Sequence, residues 1–140
     1  VESHGTIAAA CATVTVSRRG RLDIEKVLVV MDAGRVINPN AATEQCEGSV
    51  CWELSHAWTG GLELEGGRFV NTNFATYNLM RINQAPVVET YFASSGGKKW
   101  GGLGEPAGPP VPPAVANAIY YATGKRVRST PFINHDLTWA

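Results

Sequence analysis

Glu105 is the side chain in this sequence best placed for proton chemistry. It follows Gly101-Gly102-Leu103-Gly104 and precedes Pro106. Three glycines ahead of a carboxylate let the backbone approach a bound group closely, because no Cβ intervenes. Pro106 fixes its own φ and steers Glu105 away from helical geometry. A carboxylate held on such a bend can serve as a general base wherever a substrate proton comes within hydrogen-bond reach. It can equally play a structural part, by neutralising the positive end of the helix that follows. Spacing alone leaves both roles open.

Other chemistry-bearing residues are scattered. Cys11, Cys46 and Cys51 are odd in number and contain no Cys-x-x-Cys pair, which argues against a disulfide framework or a zinc knuckle. They are expected to be small buried hydrophobes. His4, His56 and His135 are too widely spaced to suggest a ligand set, and no metal-ligating residues are assigned. Asp32 ends a strand and Glu47 lies on a helix, so they imply no catalytic pair. Lys98-Lys99 is expected to be a solvated charge cluster. The four tryptophans, Trp52, Trp58, Trp100 and Trp139, are expected in the core or at interfaces. Trp100 adjoins the glycine run and is also a candidate for lining a pocket.

These residues need a scaffold, and the hydrophobic patterning supplies one. Ile7 to Ser17 alternates and predicts a half-buried strand. Arg18-Arg19-Gly20-Arg21 predicts a turn, and Ile24 to Asp32 a second strand, apolar on both faces and joined to the first as a hairpin. Asn38-Pro39 predicts a helix start, with Asn as N-cap and Pro at the first position. Ala42, Cys46, Val50, Leu54 and Ala57 recur as its core-facing stripe, and Gly60-Gly61 is expected to end it. Glu63 to Val70 suggests a small hairpin turning at Gly66-Gly67, and Asn71 to Pro86 an irregular stretch. Val87 to Ala93 predicts another strand. Ser94 to Pro113 is rich in glycine and proline. It leads into a helix with Val111, Val115, Ala118, Ile119 and Ala122 as its apolar stripe and Gly124 as its C-cap. Lys125 and Arg126 follow, where cations complement the helix dipole. A glycine-rich loop entering a helix is a backbone arrangement suited to anions. The elements predict a single α+β domain over residues 1–140, with an antiparallel or mixed sheet and two main helices packed on it.

Composition narrows the class of partner. The chain has 140 residues, 44% hydrophobic and 17% charged, with zero net charge. That is enough apolar material for a core, and it gives no general electrostatic pull toward nucleic acid or an anionic membrane. No apolar run is long enough to span a bilayer. The N-terminus shows no signal-peptide pattern and no initiator Met, so a processed product or part of something longer is expected. Compartment is left open between cytoplasm and periplasm.

An ordered series of short motifs carries a family resemblance. It runs Asp32-Ala33-Gly34-Arg35-Val36-Ile37-Asn38-Pro39, then Gln45-Cys46-Glu47-Gly48. Asn73-Phe74, Tyr77, Leu79-Met80-Arg81 and Ala85-Pro86 follow, and then Gly101-Gly102-Leu103-Gly104-Glu105-Pro106. Pro113-Ala114-Val115-Ala116-Asn117-Ala118-Ile119 and Ala122-Thr123-Gly124-Lys125-Arg126-Val127-Arg128 complete it. The series covers roughly Ile7 to Phe132. It resembles the C-terminal end of the molybdopterin-binding large subunit of the xanthine dehydrogenase and aldehyde oxidase superfamily, most of all the isoquinoline 1-oxidoreductase beta subunit.

The resemblance implies a role for each matched residue. Glu105 matches the glutamate that lies beside molybdenum and accepts the proton of the oxygen nucleophile. Gly102, Leu103 and Gly104 match the loop whose backbone lies against the cofactor, and Gln45 matches a helix start near the same pocket. The implied reaction hydroxylates an N-heteroaromatic compound or aldehyde with oxygen from water. The implied cofactor is molybdenum-molybdopterin in its cytosine dinucleotide form. Electrons would leave through a small iron–sulfur subunit, since this chain lacks cluster-binding cysteines. Three positions depart from the pattern: Ala33 where Cys is frequent, Ser49 where a second Gly is frequent, and Glu53 where a small residue is common. The expected partners are the remainder of the molybdenum subunit, the iron–sulfur subunit and a small-molecule substrate. By itself the chain is expected to bind no molybdenum, to be inactive, and to self-associate through surface normally covered. The rival reading is a non-catalytic assembly or binding module that keeps the fold without the reaction.

Overall fold

The computed structural model describes residues 1–93, 95, 96, 98 and 100–139. Ser94, Gly97 and Lys99, named above in the glycine run and the lysine pair, lie outside the described residues.

A four-stranded mixed sheet carries two helices on one face. The strands are β1 (Glu2–Ser3), β2 (Thr6–Val16), β3 (Leu22–Asp32) and β6 (Val87–Phe92), in the order β1-β2-β3-β6. β2 and β3 form the expected hairpin, while β6 lies parallel to β3. A register shift between Thr13 and Val14 explains why β3 looks apolar on both faces. Leu22 and Ile24 point inward, and after the bulge the inward set becomes Val27, Val29 and Met31. One extra residue re-phases the alternation, so neither parity is uniformly apolar.

Helix α1 (Pro39–Leu54) begins as predicted: the Asn38 side chain accepts the N–H of Ala41 at 3.2 Å. It continues as one π-helical turn over Ser55–Thr59, closed by the Gly60 N–H on the Ser55 carbonyl. Gly60 ends the helix, but not as a left-handed cap, since its φ is −73°. Glycine is needed there for space instead. A Cβ would sit 2.6 Å from the Tyr77 hydroxyl. Helix α2 (Val111–Thr123) ends at Gly124, which adopts the left-handed cap conformation with φ 74°. Its stripe is narrower than expected: Val111, Val115 and Ile119 are buried, whereas Ala122 is exposed. The small hairpin β4 (Leu64–Glu65) and β5 (Arg68–Phe69) turns at Gly66-Gly67, both with positive φ.

The core joins Ile24, Val27, Val29 and Met31 of β3 to Cys46, Val50 and Leu54 of α1 and Val111, Val115 and Ile119 of α2. Burying each of these larger side chains contributes about 1.5–3 kcal/mol. Trp58 belongs to this core, but Trp52 and Trp100 do not: they are 65% and 57% exposed. Of the cysteines, Cys46 is buried, Cys51 half-buried, and Cys11 exposed on the outer sheet face, contrary to the expectation of burial for all three.

Candidate active site

The glycine segment returns along the end of β3 and crosses the turn between β1 and β2. The Gly101 N–H donates to the Ala33 carbonyl at 2.9 Å, and the Gly102 N–H to the His4 carbonyl at 2.9 Å. From below, the fully buried Thr6 hydroxyl donates to the Gly102 carbonyl at 2.6 Å. A side chain on Gly101 would collide with that hydroxyl and with the Gly5 backbone, so the crossing requires glycine. The start of the segment is tied down separately. Asp32 Oδ1 accepts from the Gly34 N–H at 3.0 Å and from the Ser95 hydroxyl at 3.0 Å. These bonds, the Gly34 N–H first, hold the Asp32 carboxyl below its ordinary value.

On the other side, α1 reaches over to the loop. Gln45 Nε2 donates to the Gly104 carbonyl at 2.8 Å, across 59 positions of sequence. The chain then tightens into α2 through Gly108 N–H to Glu105 carbonyl and Val111 N–H to Gly108 carbonyl, at 3.0 and 2.9 Å. Between α1 and this loop lies an open cleft of about 510 Å³ lined by Gln45, Ser49, Trp52, Glu53, Gly104 and Glu105, among others.

Glu105 is exposed at this cleft. Among the described residues its carboxylate makes no hydrogen bond or ion pair, and it caps no backbone N–H of α2. The N–H groups of Gly104 and Glu105 likewise donate to no acceptor among the described residues. A Cβ built on Gly104 would meet nothing within 4 Å, so neighbours within the chain do not demand glycine there.

Of the residues singled out by sequence, Gln45, Gly104 and Glu105 are brought together in the cleft. Gly102 is not on its wall but packs beneath it, where a Cβ would lie 3.1 Å from that of His4. Leu103 packs against the core. Trp100 does not line this cleft, and Lys98 is exposed. Two further contributors carry only a weak signal in the sequence. Thr6 precedes Ala8 and Ala10 on the inward parity of its strand, and a lone hydroxyl on a buried face was the available signal. Glu53 was marked only as a departure, yet its side chain lies across Gly108 and forms part of the wall.

A second depression, of about 360 Å³, lies beyond α2 and includes Asn117, Arg126, Arg128 and Phe132. Arg126 is already engaged there, bonded to Asn117 Oδ1 at 2.6 Å and stacked 3.8 Å from the Tyr120 ring centroid. The residues lining this depression include no carboxylate, thiol or imidazole.

Backbone donors and a carboxylate that have no partner among the described residues, set on a glycine loop beside a helix-on-sheet core, suit an anionic prosthetic group. Residues 2–86 match the profile of the molybdopterin cofactor-binding domain, and the chain belongs to that family. It is 38% identical over 112 residues to the membrane-bound aldehyde dehydrogenase [pyrroloquinoline-quinone] of Gluconacetobacter polyoxogenes, covering 80% of this chain and 14% of that protein. It is 30% identical over 115 residues to the isoquinoline 1-oxidoreductase subunit beta of Brevundimonas diminuta, covering 79% of this chain and 14% of that one. In fold it matches the Cu,Mo-CO dehydrogenase with a TM-score of 0.72 at 21% identity, over 84% of this chain and 16% of the other. The chain thus spans about a seventh of the length of these proteins.

The residues present fit a molybdopterin group at the Gln45–Gly104 end of the cleft. Free N–H groups at Gly104 and Glu105 suit an anionic or carbonyl-rich ligand. The open space over Gly104 allows close backbone approach.

Proposed function

We propose that this chain is the C-terminal segment of a molybdenum hydroxylase subunit, in which Glu105 is the general base. The observation that supports this reading is the Glu105 carboxylate, without a partner among the described residues, held on a loop clamped from three sides and opening into the cleft beside Gln45 and Gly104. Gly104 and Gln45 would hold the cofactor edge. Gly102 and Leu103 would act from beneath, setting the height of the loop. When bound, molybdopterin with its molybdenum, in cytosine dinucleotide form, supplies the two-electron oxidation of an N-heteroaromatic compound or aldehyde, with oxygen from water.

The chain's own contribution is positional and electrostatic. Glu105 takes up a proton at its carboxylate as the oxygen nucleophile is activated, and no bond to another described residue has to break first. Electrons pass to an iron–sulfur partner subunit. The remainder of the molybdenum subunit supplies the other cofactor contacts, so the 140-residue chain alone is inactive and binds no molybdenum.

Glu105→Gln in the complete, cofactor-loaded subunit tests the reading. Turnover should fall by roughly 10²–10⁴-fold while molybdenum content is retained. Unchanged turnover removes the base assignment. Stoichiometric molybdenum on the purified 140-residue chain would refute the dependence on other segments.

A further inference from the structure

The cleft has a second end that the cofactor-side residues leave unexplained. Trp52 and Glu53 stand seven and eight positions beyond Gln45 on α1, which at 1.5 Å per residue places them roughly 10 Å farther along the helix. Trp52 is 65% exposed on the cleft wall, although tryptophan is usually well buried. Its ring stands at 88° to that of His56, with centroids 5.1 Å apart, which fixes the plane of the indole. Glu53 is half-buried. A Cβ on Gly108 would lie 2.6 Å from Glu53 Cγ and 3.0 Å from Oε1, so the side chain is laid across the turn leading into α2. Its carboxylate finds neither a donor nor a cation among the described residues. A half-buried carboxylate without a partner and an uncovered indole therefore share one wall, with Glu105 in the same cleft.

We propose that Trp52 and Glu53 are a specificity-determining pair that takes a planar aromatic ring carrying an N–H or protonated nitrogen at its edge. Calling the bound ring a substrate rests on the reading of Glu105 as the base; the binding itself does not. The indole offers a flat face that attracts a cationic or electron-poor ring. The Glu53 carboxylate accepts the ring's N–H as a charge-assisted hydrogen bond. An aldehyde of the same size presents only acceptor lone pairs to two carboxylates and gains nothing in return. The pair thus favours N-heteroaromatic cations over aldehydes.

The test uses the 140-residue chain, with no cofactor and no turnover. Binding of 1-aminoisoquinoline and of 2-naphthaldehyde is followed by tryptophan fluorescence and by the Trp52 indole N–H resonance, assigned by its loss in Trp52→Phe. The expected result is at least a roughly tenfold preference for the amine, the lower end of what one hydrogen bond to a charged group confers. Glu53→Gln is isosteric and keeps the packing on Gly108. It should abolish that preference while leaving the thermal unfolding midpoint in place. Trp52→Leu should weaken both ligands. Equal binding of the two probes, no binding of either at millimolar concentration, or a preference that survives Glu53→Gln would each overturn the proposal. The Glu105→Gln turnover measurement stands or falls separately.

Discussion

The hydroxyl of Thr6 donates to the carbonyl of Gly102 at 2.6 Å, joining two residues 96 positions apart. Thr6 is wholly buried, so the bond anchors the glycine loop to the sheet from inside. Thr6→Val keeps the shape but leaves a buried carbonyl unsatisfied, and should cost about 1–3 kcal/mol. Thr6→Ser should cost less, because only a methyl is lost. Gly101→Ala, which drives a methyl into the same hydroxyl, should destabilise by ~1–3 kcal/mol. Urea denaturation with a constant m-value reads all three. Equal stability of the valine and serine variants would deny the bond its role.

Gly104→Ala separates fold from function. Its Cβ meets nothing within 4 Å, so the unfolding free energy of the chain should change by no more than ~0.5 kcal/mol. In the complete subunit the same methyl enters the space assigned to the cofactor, and molybdenum content should drop. Full loading would place the cofactor elsewhere.

Two carboxylates make stability acid-sensitive. Asp32 is held below its ordinary value of 3.8, first by the Gly34 N–H and then by Ser95. Asp136 is held lower still by the Thr138 hydroxyl and N–H and by Lys125. A carboxyl whose folded value is depressed adds stability above its unfolded value, and that stability is lost as pH falls through the folded value. Denaturation midpoints should therefore be flat above pH ~5 and fall progressively below pH ~4. Asp32→Asn and Asp136→Asn should each flatten that fall. Unaltered acid profiles would show that these bonds contribute nothing measurable. Asp136 is solvent-exposed and Asp32 half-buried, so salt should weaken the effect most at Asp136.

Among the described residues nothing covers the sheet face opposite the helices, where Ile7, Val30 and Tyr91 are exposed, and none pairs with the outer edge of β6. Apolar faces and free strand edges favour association between copies. Light scattering should show a concentration-dependent dimer or larger species, reduced by Val30→Lys. A monodisperse monomer at all concentrations would contradict this.

Much of the scaffold was legible from local chemistry. The Asn38-Pro39 start of α1, the Gly66-Gly67 turn, the Gly124 cap and the β2–β3 hairpin each depend on a few neighbouring residues whose conformational preferences act within one or two turns of chain. The carboxylate on its constrained bend was legible for the same reason. Other features depend on contacts between distant segments, which no local pattern encodes. Parallel pairing of β6 with β3 and the reach of Gln45 to Gly104 are of this kind. So are the Thr6 bolt under Gly102, the exposure of Trp52 and Ala122, and the π turn at Ser55. A periodic stripe says that a face is apolar, but only packing decides how much of it is covered. Spacing presents a carboxylate, but only the meeting of α1 with the glycine loop makes the cleft into which it opens.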